Sequence, residues 1–218
     1  MTIRIGIVSQ KGGVGKSTLS RLIACEYAKA GWSVKIADLD VAQGTCYDWQ
    51  ARRMSNKILP DVPVERFGSI SQALKFSHVY DLMVFDGKPY ATSQTLEIAN
   101  AANLLILPTG LALDDLRPTV LLAGQLAGKG ISPKKFTFAL CRIGESESEL
   151  TEAQQYIANA GYSFLDGAMP EKTGYRRASD TGRAPTETRF PTLNKRADIL
   201  IQAIIDKIAL LTTDKENV

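Results

Sequence analysis

An apolar run, Ile3–Val8, leads directly into the segment QKGGVGKST at residues 10–18. After this segment, apolar residues recur at three- and four-residue steps as far as Ala30, and Gly31 stands where a helix commonly ends. A glycine-rich loop between a strand and a helix can turn its backbone N–H groups toward phosphate oxygens, and the helix N-terminus favours their negative charge. The sequence therefore predicts a phosphate-binding loop here.

The residues of this loop carry specific chemistry. Lys16 supplies positive charge to the β- and γ-phosphates of a nucleotide, and the Ser17 hydroxyl can coordinate Mg²⁺. The general pattern has a glycine five residues before Gly15, where this chain has Gln10, and it carries an additional lysine, Lys11. We expect the nucleotide to be bound here by Lys11, Gly12, Gly13, Val14, Gly15, Lys16, Ser17 and Thr18.

Short apolar runs alternate with helical patterns through the rest of the chain. Runs of strand length lie at 34–37, 82–85, 104–107 and 136–140, and helical patterns lie at 69–77, 93–101, 112–127, 147–160 and 193–211. This alternation is typical of βαβ units. We therefore predict an α/β fold with a single doubly wound, mostly parallel sheet flanked by helices. One P-loop domain over 1–211 would precede a polar tail at 212–218.

Aspartates follow two of the predicted strands. Asp38 and Asp40 come after the run at 34–37, and Asp86 comes after the run at 82–85. Ligands of such sheets bind at the carboxyl ends of the strands, where the phosphate loop also lies. A lone aspartate would be a solvated loop residue, but three at this edge predict a Mg²⁺ site made by Ser17, Asp40 and Asp86.

The additional lysine makes KGGVGKST resemble the deviant Walker A motif of the ParA/MinD family of ATPases. Asp86 resembles the family's Walker B aspartate, and Asp38-Leu39-Asp40 resembles its DxD switch motif. The resemblance implies that Lys11 reaches across a nucleotide-sandwich dimer to the partner's ATP. It also implies that Asp40 positions or activates the attacking water, with Asp38 supporting the loop and the metal-bound waters. The implied catalytic residues are Lys11, Lys16, Asp38 and Asp40.

Other segments extend the resemblance or depart from it. Leu107-Pro108-Thr109 with Asp114-Asp115 is similar to a family segment after a central strand, and Met169-Pro170 lies near where the family cradles adenine. Arg142 follows a predicted strand and either stacks on the base or is a surface arginine. The family usually has Pro-Gln after its DxD motif and a small-residue turn after its Walker B aspartate. This chain has Val41-Ala42-Gln43 and Gly87-Lys88-Pro89 instead.

Positive charge is concentrated near the C-terminus. The stretch from Lys172 to Arg196 has seven basic and two acidic residues, whereas the whole chain has a net charge of only +3. Such clusters bind nucleic-acid phosphates without reading sequence, although most charge runs are solvated faces. The family binds DNA through a basic C-terminal region. We expect DNA to be contacted by Arg176, Arg177, Arg183, Arg189, Lys195 and Arg196.

The composition is that of an ordinary globular protein, with 218 residues, 44% hydrophobic and 22% charged. The three cysteines, Cys25, Cys46 and Cys141, lack the spacing of a redox pair or metal knuckle. No stretch approaches the length of a membrane span, so we expect no membrane contact. The resemblance implies a cytoplasmic, nucleoid-associated protein.

The resemblance is strongest to small plasmid ParA partition proteins. It implies an ATP- and Mg²⁺-dependent homodimer that binds DNA non-specifically and segregates plasmid or chromosomal DNA. A centromere-binding, ParB-like partner would stimulate hydrolysis. The alternatives are a positioning ATPase for another cargo, such as a carboxysome, conjugation or chemotaxis complex, a MinD-like membrane switch, or a metabolic enzyme of the same superfamily.

Overall fold

The computed structural model describes residues 2–90 and 93–216, with the backbone alone at 213–216. Its strands are β1 (Ile3–Ile7), β2 (Val34–Asp38), β3 (Val64–Arg66), β4 (Leu82–Asp86), β5 (Leu104–Thr109), β6 (Phe136–Ile143) and β7 (Met169–Pro170). Within the described residues these seven strands form one sheet in the order β3-β2-β4-β1-β5-β6-β7, and all neighbours are parallel. The predicted doubly wound α/β fold is confirmed.

Helices cover both faces of this sheet. They are α1 (Lys16–Lys29), α2 (Thr45–Ser55), α3 (Ile70–Leu74), α4 (Ser93–Ala101), α5 (Leu113–Gly128), α6 (Glu147–Asn159), α7 (Thr173–Asp180) and α8 (Pro191–Glu216). One hydrophobic cluster joins the sheet to α1, α2 and α8 through residues such as Leu22, Trp49 and Ile204. The other joins it to α3–α6 through residues such as Leu122 and Ile157. No helix in the described ranges is long and apolar enough to cross a membrane.

Several element predictions need correction. The helix predicted at 69–77 is the short α3, followed by a separate 3₁₀ turn at Ser77–Val79. The helix predicted to end at 211 continues to Glu216, so the predicted tail is helical at 212–216, while 217–218 lie outside the described residues. The Thr212 hydroxyl donates to the Ile208 carbonyl at 3.1 Å, so this polar side chain has a partner within the helix. The sequence predicted neither α2, β3 nor α7.

Hydrogen bonds tie α2 to residues 179–187, which comprise the end of α7 and the segment that follows it. Arg53 is fully buried, and its guanidinium donates to both carboxylate oxygens of Glu187, at 2.7 and 3.0 Å, and to the Gly182 carbonyl at 3.1 Å. Gly182 has φ +79, and a Cβ there would overlap the backbone nitrogen of Arg53. This close approach of the two backbones therefore requires glycine. Three more bonds join Trp49 to Arg183, Arg52 to Ser179 and Asn56 to Thr181.

We expect Arg53→Met to lower the free energy of unfolding by about 3 kcal/mol, because the Glu187 carboxylate would stay largely buried without its main partner. Guanidinium chloride denaturation at neutral pH measures this loss. The double variant Arg53→Met, Glu187→Gln should be more stable than the single variant, since it leaves no unpaired charge. A loss below about 1 kcal/mol, the range of exposed ion pairs, would contradict a structural role for this contact.

Candidate nucleotide-binding site

The phosphate loop lies between β1 and α1, at the carboxyl end of the sheet. Gly13 and Gly15 have φ +76 and +106, a left-handed conformation that glycine adopts without strain. The first hydrogen bond of α1 runs from Leu19 N–H to the Gly15 carbonyl at 3.0 Å, so the preceding amides start the helix without intrahelical partners. The loop borders a cleft of about 240 Å³, the phosphate cleft, lined by Gly12, Gly13, Gly15, Lys16, Ser17, Thr18, Arg21, Asp40, Gln43, Thr45, Gly87 and Pro89.

Lys16 is held inside the loop. Its side chain is buried, and its ammonium donates to the Ser9 hydroxyl and to the Lys11 carbonyl, both at 3.1 Å. Burial lowers the pKa of Lys16, while the charges of Asp86 and Asp40 oppose that shift. The ammonium is therefore fixed by neutral oxygens at the wall of the phosphate cleft, where a bound phosphate would gain most from it.

Asp38 holds the loop that precedes α2. It is fully buried, and one carboxylate oxygen accepts from the Cys46 and Tyr47 amides at 3.0 and 3.2 Å. The other oxygen accepts from the Asp40 amide at 3.2 Å. Because Gly44, the residue before α2, has no side chain to cap the helix, Asp38 satisfies the first amides of α2 from a distant position in the fold.

Asp86, at the end of β4, offers an unused oxygen. The residue is 2% exposed, and its Oδ2 accepts from the Cys46 thiol at 3.1 Å. Burial raises the pKa of Asp86, and hydrogen bonds from Cys46 and Ser17 oppose that shift. No donor among the described residues reaches Asp86 Oδ1, which is also buried. A buried carboxylate oxygen without a protein donor, beside the Ser17 hydroxyl, fits Mg²⁺ and its bound water.

The structure places Cys46 among the acidic residues of the site. Ligand atoms of Asp38, Cys46 and Asp86 lie within 4.8 Å of one another. Asp40 instead lies on the wall of the phosphate cleft, where its carboxylate accepts from the Gln43 amide at 3.3 Å. Sequence reasoning did not place Cys46 at the site, because a single cysteine in a polar stretch carries no ligand spacing.

The Asp38 carboxyl gives the protein a characteristic pH dependence. Burial and the nearby Asp86 raise its pKa from 3.8 to about 6. The folded state then binds this proton more tightly than the unfolded chain, so the contribution to stability is present below about pH 4 and is lost as the pH rises to about 6. In nucleotide-free protein, we expect Asp38→Asn to flatten the pH dependence of the unfolding free energy between these limits. Identical slopes in urea denaturation would contradict this.

A second cleft, of about 260 Å³, brings together the residues predicted to bind adenine. Arg142, Met169 and Pro170 line it with Gly15 and Tyr175. Arg142 has φ +56, uncommon for a residue with a side chain. Its guanidinium donates to Glu171 at 2.6 Å and to the Gly13 carbonyl at 3.3 Å. Arg142 therefore bridges the phosphate loop and the residue after β7, and sequence reasoning missed Glu171.

The Lys11 side chain forms an ion pair within its own chain. Its ammonium lies 2.8 Å from an Asp115 carboxylate oxygen, in the first turn of α5. Both side chains remain partly exposed, at 42% and 30%. The predicted cross-dimer lysine is thus paired within the single chain.

The basic residues predicted to bind DNA are all exposed, and they line more than one cleft. Arg176 and Arg177 lie on α7, and with Arg183 they line a cleft beside α1. Arg196, on α8, lines a separate groove next to α6. Arg176 also donates to Glu171 at 2.9 Å, so part of its charge is neutralised.

Comparison with known proteins agrees with this geometry. A family model described as CbiA, the CobQ/CobB/MinD/ParA nucleotide binding domain, matches residues 5–186. The fold is similar to that of MinD from Pyrococcus horikoshii in complex with Mg-ADP, with a TM-score of 0.74, 18% identity, and 96% of this chain and 98% of that chain covered. It is also similar to a plasmid partition protein of Borrelia burgdorferi bound to AMPPNP, with a TM-score of 0.71, 16% identity, and 95% and 100% covered.

One curated relative matches over a short segment. The iron-sulfur cluster carrier protein of Clostridium perfringens is 49% identical over 37 residues, which are 17% of this chain and 13% of the relative. The chain thus matches only a small part of the length of that protein.

Proposed function

The chain belongs to the CobQ/CobB/MinD/ParA nucleotide-binding family, and we propose that it is an ATP-dependent dimerising switch that binds DNA non-specifically and segregates plasmid or chromosomal DNA. One observation carries the nucleotide chemistry. The buried Lys16 ammonium, the Ser17 hydroxyl and the unused Asp86 Oδ1 lie at the carboxyl end of the sheet, at and beneath one cleft. When bound, ATP supplies the transferable phosphoryl group and Mg²⁺ supplies the positive charge that neutralises it.

The residues of the chain have distinct proposed roles. Ser17 and Asp86 hold the cation, and Lys16 attracts the phosphate oxygens. Asp40, on the cleft wall, orients the attacking water. Asp38 keeps this loop in place through the backbone amides at the start of α2. Cys46, in the first turn of α2, donates to both Asp38 and Asp86. Loss of the γ-phosphate would therefore alter the contacts that hold the start of α2.

The contacts of α2 support a link between nucleotide and DNA. Its first turn binds Asp38 and Asp86. Its later turns bind Arg183 and Glu187, which follow the basic helix α7 in the chain. A movement of α2 would therefore shift the arginines of that region. In this proposal a homodimer presents two such basic surfaces, which raises its avidity for DNA. A centromere-binding, ParB-like partner stimulates hydrolysis, and the protein is cytoplasmic and nucleoid-associated.

Non-specific DNA binding tests the proposal directly. Purified protein is titrated with duplex DNA of unrelated sequence, with ATP, with ADP and without nucleotide, at two salt concentrations. We expect binding with ATP only, weakening as salt rises because phosphate contacts release counterions. Absence of binding in every state would reject the DNA function and leave the nucleotide switch to act on a membrane or protein scaffold.

A further inference from the structure

A third cleft, of about 500 Å³, separates α1 from α7 and carries a concentration of arginines. We call it the arginine cleft. Its four arginines face a single carboxylate, Asp180, and several hydroxyl groups. It is lined by Thr18, Arg21, Thr173, Tyr175, Arg176, Arg177, Ser179, Asp180, Arg183 and Pro185. The composition is that of a site for a phosphate group, since guanidinium forks match phosphate oxygens in pairs.

Arg21 distinguishes this cleft from an ordinary charged surface. It is 5% exposed, and its guanidinium donates to the Ser179 hydroxyl and to the Thr45 carbonyl, both at 2.7 Å. Its Nε is buried and has no partner among the described residues. No carboxylate within the described ranges lies within ion-pair distance of the Arg21 guanidinium. A buried cation bound only by neutral groups favours a nearby anion.

We propose that the arginine cleft binds a backbone phosphate of DNA, with Arg21 at its floor and the exposed Arg177 and Arg183 at its rim. This inference rests on the proposed DNA-binding function and assigns that function a place on the surface. A nucleic-acid phosphate suits the cleft because three of its arginines are exposed, whereas the phosphate loop lines the adjoining phosphate cleft, which shares Thr18 and Arg21 with it.

The same residue couples the two clefts. Arg21 also lines the phosphate cleft, and it holds the Thr45 carbonyl at the start of α2, directly after the loop that contains Asp40. A phosphate in the arginine cleft would compete with the Thr45 carbonyl for hydrogen bonds from the Arg21 guanidinium. Linkage then requires that nucleotide state change DNA affinity and that DNA change nucleotide affinity by the same factor.

Single arginine variants test the cleft against general basic charge. We expect Arg177→Ala and Arg183→Ala to weaken ATP-dependent DNA binding by about tenfold each, as for a lost phosphate contact worth about 1.4 kcal/mol. Lys129→Ala removes the same charge from an exposed residue directly after α5, outside the cleft and outside the predicted DNA contacts. It should cost less than about threefold. Equal losses for all three variants would overturn the cleft while leaving the DNA function intact.

Trp49 provides a second readout. It is fully buried, and Arg21 lies 5.7 Å from its ring centroid. Since the chain has two tryptophans, Trp32→Phe leaves Trp49 as the only indole reporter. With ATP bound, we expect short duplex DNA to change its fluorescence, and Arg177→Ala to shift the midpoint upward by about tenfold. A response to inorganic pyrophosphate that DNA does not displace would show a site for free phosphates and overturn the proposal.

The two failures are distinguishable. Wild-type protein that binds DNA in no nucleotide state would reject the proposed function itself. Trp32→Phe protein that binds DNA with ATP, but whose Trp49 fluorescence stays unchanged on saturation, would reject only the arginine cleft. Far-ultraviolet circular dichroism of each variant establishes that it is folded.

Discussion

Lys16→Ala should abolish ATP hydrolysis and ATP-dependent DNA binding together. The Lys16 ammonium is fixed by the Ser9 hydroxyl and the Lys11 carbonyl at the wall of the phosphate cleft. Charge-assisted hydrogen bonds from such a preorganised group are among the strongest in proteins. We expect ATP affinity to fall at least about 100-fold, equivalent to about 2.7 kcal/mol. Isothermal titration calorimetry and a phosphate-release assay measure the two losses.

A matched control for this variant lies in the next loop. Lys88 is exposed and follows Asp86 by two residues, so Lys88→Ala makes the same chemical change outside the phosphate loop. It should leave ATP affinity within about twofold of the wild type. Lys16→Ala should also stay folded, because burial lowers the pKa of this lysine and its removal relieves that cost. ATP-dependent DNA binding that survives in Lys16→Ala would refute the proposed switch.

The part of the site that sequence could predict is the part made by neighbouring residues. The strand before the phosphate loop, the loop itself and the start of α1 all lie within the first sixteen residues. The glycines and lysines of this short segment identify the loop. The partners of Asp38 and Asp86 could not be predicted in this way. Cys46 donates to Asp86 across 40 positions, and that contact exists only because β2 and β4 are adjacent and parallel.

The missed helices have a similar explanation. Helix α2 buries only Cys46, Trp49 and Arg53, so its buried face includes a charged residue and gives no apolar stripe. Arg53 can be buried because Glu187, 134 positions away, pairs with it. Helix α7 likewise buries few side chains, namely Tyr175 and Ala178 besides Gly174. Periodicity detects helices that pack through apolar side chains and overlooks those held by long-range polar contacts.

Lys11 and Asp115 should affect dimerisation in opposite directions. If Lys11 reaches the partner's nucleotide, its 2.8 Å ion pair with Asp115 must first break. Lys11→Ala should then abolish the ATP-dependent dimer while ATP binding to the monomer persists. Asp115→Asn removes the competing contact, and since the pair is partly exposed we expect a gain of about 0.2–1 kcal/mol, or up to about fivefold tighter dimerisation. Sedimentation velocity with a non-hydrolysable ATP analogue measures both effects.

Asp114→Asn is the matched control, because it makes the same charge change on the adjacent residue of α5, which is exposed and forms no ion pair within the described chain. It should leave dimerisation close to that of the wild type. The advantage of Asp115→Asn should also shrink as salt rises, since screening weakens the ion pair that it removes. If Asp115→Asn instead weakens the dimer as severely as Lys11→Ala, the pair is part of the dimer interface. Lys11 would then act through its own chain and not through the partner's nucleotide.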